Sequence, residues 1–339
     1  MTALPFYNGL PYTYAAFQFI DCPPAPELKK PFYNGRLRPA DEGSYEKPQY
    51  KIVTDIPIYD VRGHEHKFDL QTHGFCFQKH AATANIKPTS DKASIEQYIS
   101  GLAAILKEQQ QAELVFCYDY KFRRNDDEAR SRRDHWNDRS YFDRPAREAH
   151  VDATLEGAPH RIRRALTEAE AAKYLDGSWR LRIVNGWQPV GYGVEDQPLA
   201  FCDYFTTRQS DYVKIHMHVS SAEDGEGELY HLRHDEGQVW YWLSAQTNDE
   251  VMFFVNFDSN PGDGRRCEDM LTLLCPFYQT RRRSNSSIFF WCLGCPHSSF
   301  YNSSAPDHAR PRQSIETRFA VISKNDAEST GTTAEVGAE

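Results

Sequence analysis

After Trp179 the chain is punctuated by short apolar runs: Arg180–Val184, Leu199–Cys202, Val239–Leu243, Val251–Val255 and Phe319–Ile322. Each has the length of a strand rather than a helix, is rich in β-branched or aromatic residues, and lies between turn residues. Such a series, following a mixed N-terminal region, predicts a mainly β fold with flanking helices around a double-stranded β-helix, or jelly-roll, core. Upstream, Tyr50–Ile56, Ile58–Val61, Phe75–Gln78 and Leu114–Tyr118 read as further strands. A helix is predicted over 91–109, where Ile95, Ile99, Leu102 and Leu106 recur at helical spacing behind Ser90 or Asp91 as N-cap. Pro159 opens a shorter helical stretch, and Thr167-Glu-Ala-Glu170 is a capping box for another.

These elements suggest one domain over residues 49–324, with an α/β decoration at its N-terminal side. Residues 1–48, rich in Pro, Tyr and charge, read as an extended arm, and residues 325–339 as a disordered acidic tail. The doubly charged stretch 121–148 reads as a solvated loop whose charges pair locally. A mobile lid is the alternative, because the stretch runs directly into His150.

Composition narrows the setting. Tyr, Phe and Trp number 19, 20 and 6, the make-up of a folded, loop-rich protein. No apolar run approaches the length of a bilayer span, and no secretory signal is visible. A net charge of −9 argues against general nucleic-acid binding. The expectation is a cytoplasmic protein with no membrane span and no nucleic-acid partner; its oligomeric state is open. Of eight cysteines, Cys22, Cys76, Cys117 and Cys202 are isolated and read as reduced thiols. Cys267, Cys275, Cys292 and Cys295 crowd ahead of His297, but only Cys292 and Cys295 have short ligand spacing, so zinc is a poor fit.

The residues that carry chemistry are His150-Val-Asp152, His297 and Arg312-Gln-Ser314. Two imidazoles and a carboxylate can hold three adjoining positions of an octahedral Fe(II) and leave the others open. One residue between His150 and Asp152 puts both on one side of an extended segment. His234-Asp-Glu236 has a comparable spacing and stays open as the rival pair. Arg312 and Ser314 share one strand face and could grip a carboxylate through charge-assisted hydrogen bonds. Arg318, on the same face, is the alternative.

Several longer strings then occur in order: Asp60-Val-Arg-Gly63, Gly74-Phe75, Ala149-His-Val-Asp152 with Arg161-Ile-Arg-Arg164, and Asn185-Gly-Trp-Gln-Pro189. Pro198-Leu-Ala, Asp203, Trp240 to Glu250, and Asn256-Phe-Asp-Ser259 follow. Cys295-Pro-His-Ser-Ser-Phe300 and Pro311-Arg-Gln-Ser-Ile-Glu316 complete the set. Over roughly residues 50–322 the chain resembles the AsaB-type hydroxylase/desaturase family, the largely fungal group that includes the gibberellin desaturase. The resemblance implies a cupin-like jelly roll and an Fe(II)- and 2-oxoglutarate-dependent oxygenase. With O₂ such an enzyme hydroxylates or desaturates a small specialised metabolite. It assigns His150, Asp152 and His297 to the metal, and Arg312 and Ser314 to the distal carboxylate of 2-oxoglutarate.

Two departures stand out. Gly186 and Gln188 replace a larger residue and an arginine of the family pattern, which suggests a reshaped pocket. An insertion at about 267–294 separates Asp258-Ser259 from the proline-histidine motif. It reads either as a subdomain over the site mouth or as a retained intron. The corresponding alternatives are a catalytically impaired member or scaffold, or a metal-dependent cupin-type enzyme that does not use 2-oxoglutarate.

Overall fold

The computed structural model describes residues 9–23, 30–34, 43–80, 86–126, 142–218, 226–260 and 294–325. The cysteine-rich stretch 267–293, most of the doubly charged loop and the acidic tail fall outside them. Their alternating segments form fifteen strands: β1 (Tyr12–Ile20), β2 (Phe32–Asn34), β3 (Tyr50–Asp60), β4 (Phe75–Lys79), β5 (Leu114–Arg124), β6 (Phe142–Asp143), β7 (His150–Val151), β8 (Trp179–Pro189), β9 (Leu199–Cys202), β10 (Tyr212–His218), β11 (Glu226–Leu232), β12 (Trp240–Trp242), β13 (Glu250–Asp258), β14 (His297–Ser299) and β15 (Gln313–Lys324). Three helices matter to the site: α1 (Lys92–Gln109), α2 (Gly157–Ala165) and α3 (Glu168–Tyr174).

The strands make two curled, largely antiparallel sheets. The larger has the order β1-β3-β12-β9-β14-β7-β11-β10-β2, the smaller β4-β13-β8-β15-β5-β6. This is the expected jelly-roll class: mainly β, with helices at the flanks. Several predicted strands are longer in the fold, because ladder pairing carries the extended backbone past the apolar runs. Arg180–Val184 becomes β8, and the two runs at 50–56 and 58–61 merge into β3. Part of the stretch read as an extended arm is strand: Tyr12–Ile20 pairs antiparallel with β3 and buries Phe17 and Phe19.

Strand alternation sorts the side chains of the smaller sheet. On its outer face Val184, Phe253, Phe319 and Val321 meet Ile95, Leu102 and Leu106 of α1. The Asp91 side chain caps α1 by accepting from the Ser94 N–H, and Thr167 and Glu170 form the reciprocal capping box of α3. On the inner face Trp187, Met252 and Phe254 meet Leu199, Phe201 and Tyr241 of the larger sheet. Farther along that face, α2 and α3 cover Ile183, Phe257, Ala320 and Ile322. The functional residues lie between these two apolar patches.

Arg62, from the Asp60-Val-Arg-Gly63 string, clamps the rim. Its guanidinium donates to both Glu250 oxygens at 2.7 and 3.0 Å and to the Ser244 carbonyl. Burial alone would raise the Glu250 pKa, but Arg62 and the Thr247 N–H outweigh it and bring it to about 2. A carboxyl held below its unfolded value stabilises the fold above that value. The contribution is lost as pH falls from the ordinary range near 4.5 through about 2. Because Arg62 is partly exposed, the contribution is on the order of 2 kcal/mol. Glu250→Gln is therefore expected to lower Tm at pH 7 by several degrees and to flatten its decline between pH 5 and 3, read by calorimetry. An unchanged acid limb in the variant would refute the assignment.

Candidate metal and carboxylate site

β7 is only two residues long, and it lies between β14 and β11, with His150 directly opposite both His297 and His231. That register joins two segments almost half the chain apart. The ligand-capable atoms of His150, Asp152 and His297 all fall within 4.8 Å of one another. The two imidazoles stand 4.3 Å apart, centre to centre, and the His150 Nε2 is 3.5 Å from Asp152 Oδ1.

Each imidazole is oriented by its own backbone. His150 Nδ1 donates to the Glu148 carbonyl at 2.7 Å, and His297 Nδ1 to the Cys295 carbonyl at 3.1 Å. Both Nε2 atoms are thereby turned inward, the arrangement that presents a lone pair to a metal. His297 Nε2 is buried and has no hydrogen-bond partner among the described residues. An orphaned buried nitrogen costs about 1–3 kcal/mol, so its place is explained by a ligand it would meet there.

The electrostatics are those of a compact charge cluster. Burial would lower the His150 pKa, but the adjacent Asp152 carboxylate overrides it and holds it above the ordinary value. His297 is pulled down to about 4 by burial and by His150. Asp152 is held well below the carboxylate range: burial opposes this, and Arg318, His150 and His297 outweigh it. A divalent cation entering here would compete with protonation of these groups.

Arg312 is 1% exposed and lies over the Trp187 ring at 5.4 Å. Its Nη1 donates to the Gln197 carbonyl, and its backbone N–H to Asp196 Oδ1. Neither contact is a carboxylate on the guanidinium, and Nε has no partner among the described residues. Burial, with the charge of Arg123, draws its pKa down to about 9. Ser314 Oγ is likewise buried without a partner among the described residues. A buried cation beside an unpaired hydroxyl has the chemistry to receive an anion. Arg318, the alternative, is already engaged with Asp119 at 2.7 Å, Glu316 at 2.5 Å and Asp152 at 3.4 Å.

The rival pair goes elsewhere. His234 sits edge-on to Phe19, while Asp235 caps the Gly237 N–H and pairs with Arg208. Cys295 is buried, with its thiol directed at the Cys202 carbonyl, and it is not part of the metal-capable group. The suggestion that Gly186 and Gln188 reshape the pocket does not hold. Alternation turns them to the α1 side, where Gly186 faces Thr317 and Phe253 and Gln188 bonds to the carbonyls of His80 and Asn248.

Three residues around Asp152 had no role in the sequence reading. Asn185 Nδ2 donates to Asp152 Oδ2 at 2.6 Å, and Asn256 Oδ1 accepts the Asp152 N–H at 2.9 Å. Arg161 Nη1 donates to the Asp152 carbonyl at 2.7 Å. All three lie in strings that carry the family resemblance, which was the available signal. Asn256 is the extra residue of a β-bulge between Val255 and Phe257, and the bulge re-aims its side chain to the site. Gly294 packs against the Asn256 carbonyl so closely that no Cβ fits, which seats the segment leading to His297.

The sequence profile described as the oxidoreductase/YMDC permease-like domain matches residues 18–288, so His297, Arg312 and Ser314 lie beyond the match. No helix among the described residues is long and apolar enough to cross a membrane. The chain is 27% identical over 271 residues to the "Fe(II)/2-oxoglutarate-dependent dioxygenase nvfI" of Aspergillus novofumigatus, covering 79% of this chain and 82% of that protein. It is 28% identical to the "Hydroxylase/desaturase CTB9" of Cercospora beticola, covering 91% and 94%. The solved structure of the "iron and alpha-ketoglutarate-dependent endoperoxidase NvfI" superposes with a TM-score of 0.67 at 23% identity, over 93% of this chain and 99% of that one. The profile spans most of the sequence, so the chain belongs to the oxidoreductase/YMDC permease-like domain family, and proteins named hydroxylase/desaturase are among its relatives.

Proposed function

We propose that His150, Asp152 and His297 hold Fe(II), that Arg312 and Ser314 hold the distal carboxylate of 2-oxoglutarate, and that the enzyme acts in the cytoplasm. It is an Fe(II)- and 2-oxoglutarate-dependent dioxygenase that hydroxylates or desaturates a small specialised metabolite. The observation that carries the site assignment is His297 Nε2, buried and unpartnered among the described residues, within 4.8 Å of the other two donors. The donor set, two imidazoles and one carboxylate, fits the metal. The iron and its cosubstrate supply the oxidising chemistry with O₂, through loss of CO₂ from 2-oxoglutarate.

The chain's own residues bind, orient and exclude. Glu148 and Cys295 carbonyls fix the two imidazoles, and Arg318 and Asn185 neutralise and steer Asp152. Arg312 supplies a buried guanidinium with no ion pair to a carboxylate among the described residues, although Asp196 and Glu316 act on it from farther away. Phe254 and Phe201, whose ring centres lie 4.5 and 6.4 Å from that of His297, keep one wall apolar. Among the described residues Cys22, Cys76, Cys202 and Cys295 form no disulfide.

Anaerobic titration tests the reading. Adding Fe(II) and then 2-oxoglutarate is expected to produce a visible metal-to-ligand charge-transfer band. Iron binding without the band would point to a metal enzyme that does not use 2-oxoglutarate. Absence of iron binding would point to an impaired member or scaffold.

A further inference from the structure

Resting on that metal assignment, we propose that Asn185 and Arg318 are positioning residues that restrict Asp152 to a single ligating oxygen. The two oxygens of this carboxylate have different surroundings. Oδ1 faces His150 Nε2 at 3.5 Å, inside the cluster. Oδ2 is taken by Asn185 Nδ2 at 2.6 Å and by Arg318 Nε and Nη2 at 3.4 and 3.5 Å.

The holders are themselves held. Asn185 and Arg318 stand opposite each other on β8 and β15, and Arg318 stands opposite Asp119 on β5. They form one rung across three strands. Arg318 Nη1 is fixed by Asp119 and Nη2 by Glu316, whose other oxygen faces Arg123 Nε at 3.4 Å. Glu316 Oε1 also lies 3.4 Å from Asn185 Nδ2. Two carboxylates therefore face the Asn185 amide nitrogen, and a flipped amide would turn its oxygen onto them. The Asp152 backbone is pinned independently at its N–H by Asn256 and at its carbonyl by Arg161. Rotation of the carboxylate that brings both oxygens inward would break the bonds of Oδ2 and leave a buried guanidinium short of an acceptor.

The consequence is a count of open positions. An octahedral ion bound by two imidazoles and one carboxylate oxygen keeps three positions free. Binding through both carboxylate oxygens would leave two, and a cosubstrate that chelates through two atoms would fill them. The rung on β8, β15 and β5 thus preserves the position that a third ligand needs. A purely structural rung would tie the three strands together and leave the ion's free positions unchanged.

The test uses Mn(II) alone with the full chain, and water-proton relaxation as the count of exchangeable waters on the bound ion. The unaltered protein is expected to show three such waters. Asn185→Ser, which withdraws the amide from Oδ2 without adding bulk, is expected to lower the relaxivity of the bound ion by roughly one third, from three waters to two. Arg318→Lys, which keeps the charge and loses the fork, is expected to move it in the same direction. Loss of Mn(II) binding by a variant that keeps its metal-free melting temperature also supports the proposal, because orienting partners of metal ligands typically contribute about 10- to 100-fold in affinity. Unchanged water number and affinity in both variants would overturn it. If the unaltered chain binds no Mn(II), the metal assignment fails instead.

Discussion

Alanine at His297 is expected to abolish succinate formation coupled to substrate oxidation and to remove measurable Fe(II) or Mn(II) binding, while the metal-free protein stays folded. Among the described residues the His297 ring makes one side-chain hydrogen bond, to the Cys295 carbonyl, and packs against Phe254 at 4.5 Å. Emptying that volume costs about 1–3 kcal/mol. The same substitution removes a buried nitrogen with no partner among the described residues, which returns about as much. Net stability should therefore move by only a few degrees of Tm. Activity should vanish, because two donors cannot keep the ion in a site built for three. His150→Ala should behave alike, since Asp152 keeps Arg318 and Asn185 as partners. Circular dichroism and metal titration on the same preparation separate loss of the site from loss of the fold. A His297 variant that still makes succinate in response to substrate would refute the metal assignment.

Arg312→Met is expected to raise the 2-oxoglutarate concentration needed for half-maximal rate on the order of 100-fold, with Mn(II) affinity unchanged. Truncating one partner of a buried, hydrogen-bonded charge pair typically costs about 2–5 kcal/mol. In the metal-free chain the substitution removes a buried cation without a described carboxylate partner, so the fold should lose little stability or gain some. Ser314→Ala should cost about 1 kcal/mol of cosubstrate binding, several-fold in concentration. The decisive comparison is with Arg318→Lys. If that variant raises the 2-oxoglutarate requirement and Arg312→Met does not, the two arginines have been assigned the wrong way round.

What could be read in the sequence was local. The N-cap at Asp91, the capping box at Thr167 and the apolar spacing of α1 depend on residues three or four apart, and the fold reproduces them. The short apolar runs announced strands but not their partners. The burial of Phe17 and Phe19 became apparent only once β1 was paired with β3. At the site, His150 and Asp152 are separated by one residue and could be proposed as a pair. Their meeting with His297 depends on a register between β7 and β14 that no local pattern specifies. Asn256 was hidden for a related reason: a bulge exists only relative to the strand it mispairs with. Gly186 and Gln188 show the converse error. Their type departed from the family pattern, yet alternation along β8 turned both away from the ligands.

The pairing of His150 with His297 also bears on how the chain holds together. An ion bound there would fasten the middle of the polypeptide to a point near its end and close a loop of almost half the chain. Such a clasp ties the native chain across that loop, and it adds stability as the logarithm of the ratio of free ion to its dissociation constant. Loading the site should therefore slow proteolysis at segments remote from the ligands, including the strands between β8 and β13. Chelation should reverse this. Resistance to digestion then becomes a measure of iron supply, independent of turnover.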